Sequence, residues 1–481
     1  MQSDPAAYRV RMTDCHDRAF AVLNPRAWSC SNAAMSHTPP AELASDLRAA
    51  GIRGVECLFP DVSGYPRGKL MPAAAFASGA ELRIAQVIPM QCVTGDYPCD
   101  PVFDSRDPDL RLVPDYATVR PVPWASVPRA LAIHDCFEPT GEPCEFAART
   151  VLRNVMARYE RRGLRPVVAP EIEFYLTAPN DDPSQPLRAP ALRGGRSEVG
   201  QSAFSLNTLD EHAAFWDELR ATLDTLGIRA DTWIHEVGLT QFEINLLHGD
   251  ALAVADQAFL FKYAAKEVAI RHGMNAVFMA KPIARQPGSS MHLHQSLVDA
   301  DGRNVFSNAD GGQSDLFHQF VAGLQANLPS LMLVFAPFVN SYRRFVKDSQ
   351  APVNFHWGYD NRTVGLRIPR SDPAARRVEN RVAGADANPY LVIAASLAAG
   401  LDGIERALPP TAPLGDSAYA RGHALARTLI AAHADFLRGD VAVRLFGERF
   451  VRCYAAVKEA EFESWLAEIG EWERRFLVAQ A

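Results

Sequence analysis

Four short stretches, far apart along the chain, alternate apolar and polar residues and carry acids or histidines on the polar beat. In GSSMHLHQSL, residues 288–297, His292, His294 and Ser296 fall on one face of a strand and Met291, Leu293 and Leu297 on the other. PEIEFYL, residues 170–176, points Glu171 and Glu173 the same way. HEVGLTQFEINL, residues 235–246, supplies Glu236 and Glu243, and RRVENRVAGADANPY, residues 376–390, supplies Glu379 beside Arg381. Strands that are apolar on one side and charged on the other are expected to form an antiparallel sheet with one wet face.

Such a face is rich in oxygen donors with a histidine among them, the set that Mg²⁺ or Mn²⁺ prefers over thiolate-seeking metals. The eight cysteines form no CxxC pair, so no zinc ribbon or redox motif is expected, and they read as reduced thiols of a cytoplasmic protein. A net charge of −7 argues against a nucleic-acid partner. No uncharged apolar run approaches the ~18 residues that would span a membrane.

The 481 residues suggest more than one domain. Residues 1–40 lack a clear period and read as a disordered extension, or as the product of a start assigned ahead of Met35. Residues 41–135 read as a small α+β domain, with a strand–turn–strand at residues 63–66 and Pro-rich connectors after it. Residues 140–481 interleave helices and strands. Helices are expected to close at Gly163 and Gly227, the second capped by Asp210, and a strand is expected over residues 275–281.

These motifs, with KPIARQPGSSMHLHQSL, NSYRRFV and DNRTVGLRIP in the same order, resemble glutamine synthetase, in its bacterial type I branch, over roughly residues 50–475. The resemblance implies an α+β chain in which a β-grasp-like amino-terminal domain precedes a catalytic domain whose antiparallel sheet lines a metal and ATP funnel. It also implies a homo-oligomer, two stacked hexamers in which each amino-terminal domain caps a neighbour's site. Glu173, Glu236 and Glu243 match the ligands of a first metal, and Glu171, His292 and Glu379 those of a second. His294, Ser296, Arg367 and Arg377 match nucleotide contacts; Gly288, Arg344 and Arg381 match glutamate contacts; Arg362 matches the stabiliser of the transferring phosphoryl group. A family lysine at the nucleotide is replaced by Ala374.

The implied reaction activates glutamate's γ-carboxyl as an acyl phosphate, which an amine then displaces, with ADP and phosphate released. The resemblance also locates departures at the amine. Family acids correspond to Thr94 and Gln350, and a family tyrosine to Ala203. Two negative charges and a ring are lost, which disfavours a small bare cation and makes room for carbon. The expected acceptor is an alkylamine or polyamine, with Glu236 left to bind or deprotonate it. Asp96, Asp100, Asp104, Asp107 and Asp109 offer a distal ammonium site or simply form a solvated acidic loop. An ammonia-using synthetase and a non-catalytic family member are the competing readings.

Overall fold

The computed structural model describes residues 38–98, 103–200 and 202–480; the expectations for the first 34 residues and for Asp100 lie outside the described residues. The amino-terminal part is a six-stranded mixed sheet in the order β2 (Pro66–Pro72), β1 (Gly54–Pro60), β6 (Arg129–Phe137), β4 (Asp109–Pro114), β3 (Leu82–Ala85), with β5 (Arg120–Pro121) also on β6. Asp61 shapes the β1–β2 turn by accepting the N–H groups of Ser63 and Tyr65, both at 2.9 Å. The alternation of β6 divides its apolar residues between two layers. Ala130 and Ala132 pack with Leu43, Leu47 and Phe76, whereas Leu131 and Ile133 join the large core of the rest of the chain.

That larger part is built on a nine-stranded sheet whose main path runs β13 (Trp357–Tyr359), β14 (Leu366–Ile368), β15 (Val378–Asn380), β12 (Met291–Val298), β7 (Arg165–Thr177), β9 (Gln241–Leu246), β8 (Ala230–His235), with β10 (Gly249–Asp250) and β11 (Asn275–Val277) also on β7. All of these neighbours are antiparallel except β13 and β14, which run parallel. One face packs on helices, among them Ala251–Arg271 and the buried Pro389–Glu405.

Two local expectations change. Asp210 does not cap the helix that closes at Gly227: it lies inside a short Leu206–Glu211 helix, which Ser205 opens by accepting the Thr208 N–H at 3.2 Å, and Ala213–Leu226 begins after a break at His212 with no side-chain cap. The strand expected over residues 275–281 stops early, as β11 (Asn275–Val277), because β7 offers it only Tyr175, Leu176 and Thr177 before β12 takes over that edge. The expected closures stand, with Gly163 and Gly227 at φ of 68° and 71°.

Candidate active site

β7 lies between β12 and β9. His292 stands opposite Glu171, Glu173 opposite Glu243, and on the far side of β12 His294 stands opposite Glu379. Cross-strand partners are about 5 Å apart, so four separate alternations merge into one patch of acids and histidines. His294 Nε2 lies 2.7 Å and His292 Nδ1 3.3 Å from the Glu171 carboxylate. Two triads bring their donor atoms within 4.8 Å of one another: Glu171, Glu243 and His292, and Glu171, His294 and Glu379. The grouping cuts across the division into two ligand sets that the resemblance implies. Glu171 belongs to both triads, His294 joins the second, and Glu173 and Glu236 stand outside them.

The charges are unevenly answered. Burial pushes Glu379 up, but Arg381 and His292 outweigh it and hold the carboxyl down at about 2. Arg367 Nη1 adds a contact at 2.7 Å, and Arg381 a shorter one. Burial likewise raises Glu171, and the hydrogen bonds to His292 and His294 reverse it, leaving the group well below the usual range. Burial and Arg381 bring His292 down to about 4, so it is neutral and able to ligate. For Glu173 the Ser290 hydrogen bonds and the Arg344 charge offset burial only in part, and Glu243 is surrounded by like charges. Burial, then the charge of Glu236, raises Glu173 to about 7, and burial with four neighbouring carboxylates raises Glu243 to about 10. Burial also raises Glu236. Carboxylates crowded out of water and oriented with a neutral imidazole fit a hard divalent cation, which would hold them ionised.

Ser290 and Gln241 complete this arrangement. The Ser290 hydroxyl and N–H donate to Glu173 at 2.5 and 2.9 Å, and Gln241 Nε2 donates to it at 3.2 Å. Neither was singled out from sequence, although each lies two residues before a named ligand, one step further along the same alternation. Gly288 is required by space: a Cβ there would come within 2.5 Å of Arg344 Cγ and 2.7 Å of the Ala280 carbonyl oxygen. Arg344 is buried and donates to the carbonyls of Arg381, Val382 and Ala383. The Nε atoms of Arg344, Arg367 and Arg381 are buried without a hydrogen-bond partner, which fits a site for anions. Arg362 is exposed, and its charge reaches Glu236.

A cavity of about 620 Å³ opens beside the patch, lined by Glu171, His294, Ser296, Ala374 and Arg377 among others. Arg377 Nε lies 3.1 Å from His294 Nδ1. Arg367 stays outside this lining and pairs with Glu379 and Asp360. At the acceptor side, the Gln350 carbonyl takes a hydrogen bond from Arg381 Nη2 at 3.3 Å, and Ala203 precedes Phe204, whose N–H bonds the His235 carbonyl at 2.8 Å beside Glu236. Thr94 is not brought to the patch by its contacts. Its loop is held against the Glu448–Leu466 helix by Val93 N–H to Glu461 at 2.9 Å, and its hydroxyl bonds Asp96 at 2.8 Å. Of the acidic loop, Asp104 pairs with Arg106 and Asp107 accepts the Val87 N–H.

Residues 145–477 match the model of the glutamine synthetase catalytic domain. The chain is 36% identical over 426 residues to a glutamate–isopropylamine ligase of Pseudomonas sp., covering 86% of this chain and 92% of the relative. It is 34% identical over 438 residues to a gamma-glutamylputrescine synthetase of Escherichia coli strain K12, covering 89% and 92%. The solved structure of GmaS in complex with ADP superposes with a TM-score of 0.79 at 30% identity, covering 91% of this chain and 99% of that one. Family model, relatives and solved structure span both the acidic patch and the cavity beside it, and the chain belongs to the glutamine synthetase family of carbon–nitrogen ligases.

Proposed function

We propose that the protein joins the γ-carboxyl of glutamate to an organic amine, consuming ATP and releasing ADP and phosphate. The observation that carries this is the acidic patch beside the cavity that Glu171 and His294 help to line, with Gln350 and Ala203 standing where anion and ring are expected in ammonia-using relatives. The names of the two relatives, ligases of isopropylamine and of putrescine, support the same acceptor class.

Gly288, Arg344 and Arg381 receive glutamate, the arginine forks suiting its carboxylates. His294, Ser296 and Arg377, which line the cavity, receive the nucleotide, and Arg367 beside Glu379 is assigned to its phosphates by the family resemblance. A γ-carboxylate oxygen attacks the terminal phosphorus of ATP, and the bond to the ADP oxygen breaks. Arg362 offsets the charge spread over the transferring group. The amine nitrogen then attacks the acyl carbon, phosphate leaves, and Glu236, whose affinity for protons burial raises, takes the surplus proton. Glu171 with Glu243 and His292, and Glu171 with His294 and Glu379, would hold Mg²⁺ or Mn²⁺, Glu173 standing behind them on Ser290; bound there, the ions neutralise phosphate and carboxylate charge.

The amino-terminal sheet is the β-grasp-like unit of this family, and its Thr94 loop serves the site of a neighbouring copy in a ring-shaped homo-oligomer, a dodecamer. The anchoring of that loop on the Glu448–Leu466 helix, through Val93 N–H to Glu461, supports this assignment. Buried Cys57, Cys92, Cys136 and Cys144, none of them in a disulfide among the described residues, suit a reducing cytoplasm.

The test is ADP release with ammonium, methylamine, ethanolamine, isopropylamine, putrescine and spermidine, each with and without glutamate. An alkylamine or polyamine should give the highest kcat/KM, and release should require glutamate. Preference for ammonium would make the enzyme a glutamine synthetase proper.

A further inference from the structure

The connection between β7 and β8 returns to the sheet at a turn that carries Glu236, and one buried carboxylate makes the join. Glu198 Oε2 accepts the Thr240 N–H at 2.7 Å, and Glu198 Oε1 lies 3.2 Å from His235 Nε2. Thr240 and His235 flank Glu236 on either side, so Glu198 spans the turn. Thr240 is a β-branched residue at φ 53°, a conformation that holds only where the surroundings enforce it. Its hydroxyl donates to the Leu176 carbonyl at 2.6 Å. His235 is fully buried, and its Nδ1 lies 2.8 Å from the Ser202 carbonyl, which ties the same connection down a second time.

Two residues on, Phe204 bonds the His235 carbonyl through its N–H and is itself at φ 62°. The residue is 72% exposed. An aromatic residue forced into the left-handed region and then left uncovered is contributing nothing to a core. Its backbone is fixed one residue from Glu236, where a protonated amine would be drawn.

We propose that Glu198 is a positioning residue for the acceptor step: it locks the β7–β8 connection to the Glu236 turn and so holds Phe204 as the apolar wall against which the carbon chain of the amine packs. The ring gives a substituted ammonium both an aromatic face and surface to bury. Ammonium, without carbon, gains little from it. The inference rests on the amine-ligase reading and adds what sets its selectivity.

The experiment compares full-length wild type with Phe204→Ala, Glu198→Ala and Glu198→Gln, reading kcat/KM for isopropylamine and for ammonium, KM for glutamate, and the melting temperature. Phe204→Ala should lower kcat/KM for isopropylamine about five- to tenfold, leave ammonium within about twofold, and leave melting unchanged. Glu198→Ala should shift selectivity the same way without raising the KM of glutamate. Glu198→Gln keeps an acceptor for Thr240 and should recover most of the loss. An unchanged isopropylamine-to-ammonium ratio in Phe204→Ala overturns the proposal even if Glu198→Ala does not fold, and so does an equal fall for both acceptors in Glu198→Ala. If wild type itself prefers ammonium, it is the amine-ligase reading that fails; unchanged selectivity in variants of an amine-preferring wild type sinks only this inference.

Discussion

Two clusters of buried charge lie in this chain, and they are resolved in opposite ways. At the junction of the amino-terminal sheet with the helices, the Arg149 guanidinium is ringed by Asp115, Asp135 and Asp256 at 2.7, 2.7 and 2.8 Å. Arg153 adds a second cation, and Tyr390 donates to Asp256 at 2.6 Å. On the wet face of the large sheet, Glu171 and Glu379 find histidine and arginine partners, but neither Glu173 nor Glu243 forms an ion pair among the described residues. In the first cluster every aspartate has an arginine partner, and the cluster serves as a staple. The second leaves carboxyls without a cationic partner in a poorly solvated place, which a folded chain tolerates where a cation is to be bound.

The largest effect should come from breaking the staple. Arg149→Met removes the one cation that all three aspartates share and should cost about 3–5 kcal/mol of stability. Urea unfolding measures it, and an unchanged midpoint would mean that the aspartates are solvated. The same insult to the other cluster should leave the fold standing. Glu171→Gln or His292→Ala should keep its melting temperature and lose about 10³-fold in ADP release, equivalent to ~4 kcal/mol in the barrier. Full activity in either variant would remove those residues from the metal site.

Adding the missing charge should sharpen the contrast. Mg²⁺ or Mn²⁺ at about 100 times its Kd should stabilise the wild type by ~2.7 kcal/mol, and Glu243→Gln by much less. A thermal shift in a metal titration reads this directly. The smallest effect is in protons. Glu243, raised to about 10, is protonated at pH 7, and Glu173, raised to about 7, is about half protonated. Raised carboxyls favour the metal-free fold below about pH 4.5, and that contribution fades as pH climbs through 7 toward 10. Metal binding must ionise them, so it should release between one and two protons at pH 7, and affinity should rise with pH by up to ~1.4 kcal/mol per unit for each proton. Calorimetry in two buffers of different ionisation enthalpy counts them; zero release would contradict the burial of Glu243.

Part of this was legible in the chain. An alternation of period two is a local property, so the strands bearing Glu171, Glu173, Glu243 and His292 and the faces they share could be read from a few residues each. The order of the motifs carried the family. Local competition was harder to judge: Ser205 and Asp210 both have capping side chains, and the helix opened at Ser205, which leaves Asp210 inside its last turn.

What the sequence determined by itself is which side chains travel together on a strand. Which strands lie side by side was decided only by the tertiary structure, because that pairing joins residues remote in the chain. His292 meets Glu171, and His294 meets Glu379, only once β12 is inserted between β7 and β15. That insertion makes Glu171 common to both triads, places Ser290 on Glu173, and elsewhere draws Asp115, Asp135 and Asp256 around Arg149. Alternation sets faces through backbone geometry within one strand, whereas neighbours are set by the burial of the opposite, apolar face against helices from the rest of the chain.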